Sequence, residues 1–208
     1  PPLGVLALDL QKAFDSASHN YMFSVLGRLG LPQTFIRWIQ LLYSGASSKV
    51  TVNGFLSRDI NIASGVKQGC PLSPALFICT MEPLLATIRA DKTIRGVFVS
   101  GAQGEPAKCV AYMDDVSILC PDQTSVKQTL EHCGNFEKAS GLVLNTGKST
   151  CLTIGNWNNS EPMGVTTKKE PTKILGILFS EDHPRDNNWM GILKKMQQKI
   201  AMWKSRSL

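Results

Sequence analysis

Three acidic residues lie at the ends of apolar stretches, where isolated carboxylates are costly to bury. Asp114 and Asp115 lie inside AYMDDVSILC, residues 111–120, and Asp9 follows the apolar run GVLAL. Adjacent carboxylates repel each other, and apolar surroundings strengthen that repulsion. If the two runs are neighbouring strands of one sheet, Asp9 and Asp114 face each other across a gap and require a cation between them. Oxygen ligands without histidine or cysteine favour Mg²⁺ or Mn²⁺ over Zn²⁺.

A pair of such ions would support one particular type of reaction. Two divalent cations about 3.5–4 Å apart can hold both the attacking and the leaving oxygen of an in-line displacement at phosphorus. Mg²⁺ also completes its coordination shell with water and substrate phosphates. The plain alternative is a solvated turn, because aspartate is a common turn residue and an isolated Asp-Asp pair more often has only that role. The segments around the acids therefore decide between the two interpretations.

The segments next to the acids have the patterns of β-strands. KCVAYM and VSILC lie on either side of the Asp-Asp pair at the spacing of a hairpin, which would put Asp114 and Asp115 at its tip. GVLALDL predicts a short buried strand that ends at Asp9. Alternation on both sides of Asn53-Gly54 predicts a second hairpin. Because several strands are expected to be antiparallel and alternate with helices, the predicted fold class is α+β.

Helical periodicity accounts for much of the remaining chain. One helix should begin at Ser18, His19 or Asn20 and cover YMFSVLGRLG, with His19 interpreted as a structural residue of the helix start. The next helix covers TFIRWIQLLYSG, with one face formed by Phe35, Trp38, Ile39, Leu42 and Tyr43. Further helices are predicted over PALFICTMEPLLATIR, over SVKQTLEHCGNFEKAS up to Gly141, and from Trp189 to Trp203. GLVLNTGKSTCLTI and TKILGILFS are strand-like, SGVKQGCPLSP is a loop, and residues 156–171 are expected to be an exposed loop.

Composition restricts the class of protein. The chain has 208 residues, of which 43 % are hydrophobic, so it can form a sizeable core. It contains no apolar run of roughly 20 residues and no signal-peptide pattern, so we expect no membrane association and an intracellular protein of the nucleus or cytoplasm. The formal charge of +6 is compatible with a polyanionic partner. The six cysteines form no CxxC pair, which favours reduced thiols over a zinc site.

Five short motifs in a fixed order resemble the palm of reverse transcriptases, and most closely those of non-LTR (LINE-type) retrotransposons. They are ALDLQKAFDSASH, SGVKQGCPLSPALF, AYMDD, GLVLNTGKS and KILGILF, and together they cover about residues 3–180. Cys70-Pro71-Leu72 after Gln68-Gly69 is more similar to the LINE type than to group II intron proteins. Many LINE-type enzymes have FADD where this chain has YMDD, a change that keeps both acids.

The resemblance implies a role for each matching residue. Asp9 and Asp114 would be bridging ligands of two Mg²⁺ or Mn²⁺ ions, with Asp115 as a third acid and the carbonyl of Leu10 as a further ligand. Lys148 would be a general acid that protonates the departing pyrophosphate, or else a solvated turn lysine. The remaining expected site residues fall into two groups. The nucleotide side comprises Phe14 as a steric gate against a 2′-OH, Gln68 and Gly69, and the primer and template side comprises Tyr112, Met113, Leu175, Gly176, Lys194, Lys195 and Lys199.

The same resemblance implies the organisation and partners of the chain. Residues 1–182 would form the palm, with helices and a hairpin on the fingers side at about 20–62, and residues 183–208 a linker and the first helix of a thumb. The expected partners are an RNA template, a DNA primer and a dNTP. We expect the chain to be part of a longer polyprotein with an endonuclease. The alternative function is that of a non-catalytic retroelement remnant or nucleic-acid-binding module.

Overall fold

A five-stranded sheet is the centre of the fold. In a computed structural model of the chain, the described residues are 2–98, 104–157, 164–169, 172–174, 177–179 and 184–204. The sheet has the order β6-β7-β1-β8-β9, and its strands are β1 Leu3–Leu8, β6 Cys109–Tyr112, β7 Asp115–Cys120, β8 Thr150–Ile154 and β9 Thr166–Lys168. Neighbouring strands are antiparallel except β8 and β9, which are parallel. The predicted α+β class with a mostly antiparallel sheet is confirmed.

Strand β1 is apolar along its whole length because both of its faces are covered. Leu6 and Leu8 belong to the main core, whereas Val5 packs with Leu152 in a second cluster on the other face of the sheet. Val5 and Leu6 are 1 % and 0 % exposed. A central strand of this kind has no solvated face, so it lacks the alternation of an edge strand. This explains the uninterrupted run that precedes Asp9.

In the described part of the chain six helices accompany the sheet, and five of them contribute buried side chains to the main core. They are α1 Ala13–Ser16, α2 His19–Arg28, α3 Gln33–Tyr43, α4 Ser73–Ala90, α5 Gln123–Ser140 and α6 Pro184–Lys204. Helix α4 contributes the buried Phe77 and Ile88, which pack with Ile118 of β7 in the main core. Truncating a buried phenylalanine of this kind costs about 3–5 kcal/mol.

Local sequence signals determine where several helices begin and end. The Ser18 hydroxyl accepts a hydrogen bond from Tyr21 N at the start of α2, and the Asp122 carboxylate accepts one from Ser125 N at the start of α5. Gly141 ends α5 in the left-handed region at φ 77°. The predicted start of α2 and the predicted end of α5 are confirmed, whereas α2 ends at Arg28, before the predicted Gly30, and α5 begins at Gln123, before the predicted Ser125.

Short strands form the region between α3 and α4. Ser47–Ser48 (β2) pairs with Ile60–Asn61 (β5), and Thr51–Val52 (β3) pairs with Phe55–Leu56 (β4). Asn53 and Gly54 have φ values of 49° and 85°, the left-handed conformations that a tight two-residue hairpin turn requires. The hairpin predicted at Asn53-Gly54 is present.

Three predictions about elements are wrong in part. Of GLVLNTGKSTCLTI, only Thr150–Ile154 is a strand, because the preceding turn is held by hydrogen bonds to the end of β1. The loop predicted over 156–171 contains β9, which pairs with β8. On α3, Trp38 and Leu42 are exposed by 62 % and 56 %, and the buried positions are Ile36, Ile39 and Tyr43.

The last described strands follow the prediction, whereas the last helix begins at Pro184, before the predicted start at Trp189. Thr172–Ile174 (β10) pairs antiparallel with Ile177–Phe179 (β11), and Phe179 packs against the second cluster beside Val5. Helix α6 is joined to β11 by Asn188, whose side chain both accepts from Leu178 N and donates to Leu178 O. Among the described residues, no helix is both long and apolar enough to cross a bilayer.

Candidate active site

The register of the sheet brings two of the acids to one point. The register of β1 and β7 ends at the pair of Leu8 and Val116, and Asp9 and Asp115 are the residues that adjoin this last pair. Directly opposed residues of antiparallel strands have Cα atoms roughly 4.5–5.5 Å apart. Alternation puts both acids on the face that also carries Val5, away from the main helical layer. Asp9 is half-buried and Asp115 is exposed.

Asp114 lies in the turn of the predicted hairpin. Tyr112 pairs with Asp115, which leaves Met113 and Asp114 as a two-residue loop. Met113 has a φ of 57°, a left-handed conformation that is uncommon for a residue other than glycine. The turn exposes Asp114, and Tyr112 beside it is 70 % exposed. Asp114 and Asp115 are therefore both exposed at the tip of the hairpin, next to the exposed ring of Tyr112.

Backbone hydrogen bonds fix Asp9 on the side of β8. Asp9 N donates to the Ser149 hydroxyl at 3.0 Å, and Asp9 O accepts from Asn145 N at 2.8 Å. Ser149 is fully buried. The exposed Lys148 belongs to the same turn, where its backbone N donates to Asn145 O at 3.1 Å. Sequence analysis assigned no role to Ser149 and Asn145, and their only signal was that both lie within the fourth motif together with Lys148.

The backbone of Leu10 is oriented towards the hairpin. Leu10 forms an isolated antiparallel bridge with Leu144, in which Asp9 O accepts from Asn145 N and Gln11 N donates to Val143 O. Peptide groups along an extended segment alternate in direction, so the N–H and C=O of Leu10 point to the opposite side. In this sheet, that side is the side of β7 and its turn. The carbonyl of Leu10 is therefore directed as a further oxygen ligand would need to be.

The donor set of these residues fits a hard divalent cation. In the part of the chain that the structure describes, no three His, Cys, Asp or Glu side chains lie close enough together to hold a metal ion. Two carboxylates that adjoin the last pair of β1 and β7, a neighbouring exposed carboxylate and a backbone carbonyl offer oxygen atoms alone. Mg²⁺ is commonly held by one or two carboxylates, with water and substrate phosphates as its other ligands. The arrangement fits a cation whose coordination shell is completed by substrate, and a site of three aspartates stays a prediction.

A cleft of about 470 Å³ brings the predicted nucleotide-binding residues together. Its lining consists of Phe14, Lys67, Gln68, Gly69, Cys70, Pro71, Ser73 and Pro74. Phe14 stacks on Phe77 of α4, with ring centroids 4.5 Å apart and planes inclined by 20°. Gln68 Nε2 donates to the Asp15 carboxylate at 3.3 Å. Phe14, Gln68 and Gly69 come from two distant motifs, yet they line one concave surface.

Close backbone contacts join these two motifs. Gly65 has a φ of 82°, and a Cβ atom there would lie 2.6 Å from both Asp15 Cα and Phe14 O. Val66 N donates to Phe14 O at 2.6 Å, and Gly65 N donates to Ala17 O at 2.8 Å. Only glycine permits this conformation and this approach together. The contacts fix the position of Phe14 relative to the loop of residues 64–74.

Comparison with known proteins identifies the family. The profile described as reverse transcriptase (RNA-dependent DNA polymerase) matches residues 3–179. The chain belongs to the reverse transcriptase family. The resemblance drawn from the five motifs is confirmed, since relatives of this chain come from the R2, TX1 and jockey mobile elements.

Relatives of this reverse transcriptase chain are much longer proteins. The Pol polyprotein of retrotransposable element R2DM from Drosophila melanogaster is 34 % identical over 71 % of the chain, which spans 13 % of that protein. An R2 polyprotein from Popillia japonica is 33 % identical over 72 % of the chain, which spans 21 % of it. The transposon TX1 149 kDa protein of Xenopus laevis is 28 % identical over 97 % of the chain, which spans 16 % of it.

Solved structures extend the likeness to the fold. Telomerase from Candida tropicalis, in complex with a fragment of telomeric RNA, superposes with a TM-score of 0.62 at 12 % identity. The match covers 86 % of this chain and 29 % of the telomerase chain. The apo form, truncated from its C-terminal domain, gives a TM-score of 0.59 at 15 % identity, covering 86 % of this chain and 34 % of that chain. The polymerase palm fold expected from the sequence is confirmed.

The expected primer-side residues fall into three groups along the chain. Tyr112 and Met113 flank the acids in the hairpin. Leu175 and Gly176 lie outside the described residues, between the paired strands β10 and β11. The side chains of Lys194, Lys195 and Lys199 are exposed on α6. The structure groups the first pair with the acids and does not bring the lysines into that group.

The cysteines of the reverse transcriptase chain are free thiols, as the sequence predicts. Burial raises the pKa of Cys120 and Cys133 to about 12 and that of Cys151 to about 11, so these three stay protonated at neutral pH. Cys70, which lines the cleft, differs from them. A hydrogen bond from the backbone of Leu72 lowers the pKa of Cys70 below its ordinary value.

Proposed function

We propose that this chain is the palm of an RNA-directed DNA polymerase, which transfers a deoxynucleoside monophosphate from a dNTP to the 3′-OH of a DNA primer on an RNA template. The observation that supports the proposal is the register of β1 and β7, whose last pair, Leu8 and Val116, adjoins Asp9 and Asp115 next to the turn with Asp114. The cleft with Phe14 and Gln68 supplies a second surface, suited to the nucleotide. In this proposal residues 1–182 form the palm, with the helices and hairpin at about 20–62 on its fingers side, and residues 183–208 a linker and thumb-like helix.

The acids have the role of metal ligands in this proposal. Asp9 and Asp114 would hold two Mg²⁺ or Mn²⁺ ions, with Asp115 and the carbonyl of Leu10 as additional oxygen ligands. When bound, the ions would lower the pKa of the primer hydroxyl and neutralise charge on the triphosphate. The hydrogen bonds from Asp9 N to the Ser149 hydroxyl and from Asn145 N to Asp9 O would keep the end of β1 in place while substrates exchange. Pre-formed geometry of this kind reduces the reorganisation that the reaction needs.

The cleft selects and orients the nucleotide in this proposal. The ring of Phe14, held by its stack on Phe77, lies under the sugar and excludes a 2′-OH. Gly69, with a φ of 81°, lets the backbone approach the nucleotide, and the Gln68 amide offers hydrogen bonds. Lys148 lies in the turn between Asn145 and Ser149, both of which are hydrogen-bonded to the backbone of Asp9. It would donate a proton to the departing pyrophosphate.

The nucleic acid partners would contact the open side of the sheet and α6. Tyr112 and Met113 would border the primer terminus, and Leu175 and Gly176 would offer their backbone to it. Lys194, Lys195 and Lys199 would contact phosphates without reading sequence. Because the chain spans 13–21 % of three relatives, we propose that it acts within a longer polyprotein that also has an endonuclease.

A second candidate function is nucleic-acid binding without catalysis. The exposed lysines of α6 favour it, because phosphate contacts need neither a metal ion nor the acids. The two candidates differ in what the acids do. Replacing an acid should leave binding intact in both cases and should affect product formation only if the chain is a polymerase.

Primer extension tests the proposed function and separates the two candidates. The purified chain is mixed with a DNA primer on an RNA template, dNTPs and Mg²⁺, and Asp114→Asn is compared with the wild type. We expect extension by the wild type, loss of extension in the variant, equal circular dichroism and equal binding of the primer–template. Extension by neither protein, with binding intact, would support the second candidate. Normal extension by the variant would contradict the role of Asp114.

A further inference from the structure

The side chain of His19 makes a long-range contact that its position at a helix start does not explain. His19 is the first residue of α2, but the capping hydrogen bond comes from Ser18, whose hydroxyl accepts from Tyr21 N. His19 Nε2 lies 2.8 Å from Gly65 O, 46 residues further along the chain. A carbonyl oxygen only accepts, so the bond requires the tautomer with a proton on Nε2. The imidazole therefore donates to the backbone of the loop of residues 64–74.

Tyr43 of α3 supports the same loop from a second helix. Its buried ring packs edge-to-face against His19, with centroids 4.9 Å apart. The Tyr43 hydroxyl accepts a long hydrogen bond, 3.4 Å, from Lys67 N. The Lys67 ammonium lies 5.6 Å from the centre of the Tyr43 ring and donates to Leu42 O at 2.7 Å. Two aromatic side chains thus hold Gly65 and Lys67, which lie on either side of Val66.

The held segment leads directly into the cleft. Gln68, Gly69 and Cys70 follow Lys67 at once and line the cleft together with Phe14. At this tip, the hydrogen bonds from Gln68 Nε2 to Asp15 and from Cys70 N to Lys67 O are long, at 3.3 Å each. The base also has shorter ones, since Gly65 N and Val66 N donate to backbone carbonyls at 2.8 and 2.6 Å. The position of the tip therefore depends on where Gly65 and Lys67 are fixed.

We propose that His19, together with Tyr43, is a positioning residue that sets the nucleotide side of the cleft through the backbone of Gly65. The inference rests on the proposed function, because it assumes that the cleft takes a dNTP. His19 does not touch the nucleotide. It determines the position of Gln68 and Gly69. Its loss therefore weakens nucleotide binding and has a smaller effect on the rate of the chemical step at the acids.

Two variants of His19 and one neighbour test the inference in the purified chain. His19→Ala removes the donor, His19→Gln offers an amide N–H that can reach Gly65 O, and Asn20→Ala is the control at the next, exposed position of α2. Primer extension gives kcat and the KM for dNTP, and hydrogen exchange of residues 64–70 reports on the loop without any need for activity. For His19→Ala we expect a KM raised roughly three- to tenfold, as one lost hydrogen bond gives, with kcat changed less than about twofold. Exchange in the loop should accelerate, and His19→Gln should restore both values.

Other outcomes would overturn the inference. A wild-type KM in His19→Ala, or a lower kcat with unchanged KM, would exclude a positioning role even if the loop exchanges faster. If His19→Ala does not fold, Tyr43→Phe removes only the hydroxyl that accepts from Lys67 N, and an unchanged KM in that variant would also overturn the inference. Failure of the wild type to extend a primer would instead contradict the proposed function itself, and the inference with it.

Discussion

At the scale of single residues, the most informative contact is the one between Asp9 and Ser149. The two residues are 140 positions apart, and the buried hydroxyl is the acceptor for Asp9 N. Ser149→Ala would leave that N–H without its acceptor in a partly buried place, which costs about 1–3 kcal/mol. We expect the free energy of unfolding in urea to fall by this amount. Primer extension should also slow, because the backbone of Asp9 loses one of its two hydrogen bonds.

Ser57 provides a matched control for this change. Its hydroxyl also accepts from a backbone amide, Val50 N at 2.9 Å, but in an exposed hairpin where water can replace it. Ser57→Ala should change stability by less than about 0.5 kcal/mol. Equal changes in the free energy of unfolding for Ser149→Ala and Ser57→Ala would show that the hydrogen bond at Asp9 stabilises the fold no more than an exposed one does.

Phe14 is the residue on which sugar selection should depend. Phe14→Ala removes the ring that lies in the cleft, and we expect the preference for dNTP over rNTP to fall roughly 10–100-fold. The measurement is the ratio of kcat/KM for the two nucleotides. Phe77→Leu is the comparison, because it removes the stack that holds the Phe14 ring but keeps the ring itself, so it should lower the preference less than Phe14→Ala does. An unchanged ratio in Phe14→Ala would remove the gate role from this residue.

At the scale of elements, the loop of residues 64–74 contains two glycines that appear equivalent in the sequence but have different surroundings. Both have positive φ, yet a Cβ at Gly65 would lie 2.6 Å from the backbone of Phe14 and Asp15, whereas a Cβ at Gly69 meets nothing within 4 Å. Gly65→Ala should combine strain with overpacking and cost roughly 2–5 kcal/mol, and Gly69→Ala should cost roughly 1–2 kcal/mol. Urea unfolding measures both, and a reversed order would contradict the close packing of the two motifs.

Asp91 lies in the connection between α4 and β6, and its ionisation makes the stability of the fold depend on pH. Hydrogen bonds from Thr93, at 2.6 and 2.7 Å, and from His132, at 2.6 Å, hold the pKa of Asp91 at about 2. Its ordinary value is about 3.9, so its contribution to stability is complete above about pH 4 and is lost as the pH falls through 2. The Lys108 ammonium donates to Asp91 O and Arg89 O, which joins this point to the strand before the Asp-Asp turn.

Asp91→Asn should therefore flatten the dependence of stability on pH. Between pH 5 and pH 2.5, the free energy of unfolding in urea should fall less steeply in the variant than in the wild type. Asp59→Asn is the control, since Asp59 is exposed in a hairpin and lies 3.6 Å from an exposed Lys49. If the slope of Asp91→Asn matched that of the wild type, the hydrogen bonds around Asp91 would not be the source of the response.

Comparison of particular elements explains what the sequence could predict. The hairpin at Asn53-Gly54, the hairpin at the Asp-Asp pair and the end of α5 at Gly141 depend on local turn chemistry, and all three are present. The tip of the second hairpin is Met113-Asp114 and not Asp114-Asp115 as predicted, because Asp115 is already paired with Tyr112. Strand β9 and the buried face of α3 depend on which distant surfaces cover them, and both were mispredicted. The same holds within the site. The acids and Phe14 carry a local motif. Ser149 and His19 also lie within two of the quoted motifs, but their hydrogen bonds join residues 140 and 46 positions away, and the local pattern does not reveal such partners.

At the scale of the whole molecule, the two faces of the sheet differ in what covers them. The helical layer buries the apolar residues of β1 and β7 on one face and makes that side rigid. The other face is covered near Val5 and Phe179 but open at the end that carries the acids, where Tyr112 is 70 % exposed. A rigid support beneath an open edge suits a site that must admit a nucleic acid and hold its reacting atoms in place.

The central claim is that strand β1 and the hairpin turn present their carboxylates to the same cations. Binding of Mn²⁺, followed by electron paramagnetic resonance, tests it most directly in the presence of dNTP and a primer–template whose primer lacks a 3′-OH. We predict two bound ions in the wild type and loss of tight binding in both Asp9→Asn and Asp114→Asn, with circular dichroism unchanged. Wild-type Mn²⁺ binding in either variant would contradict the claim.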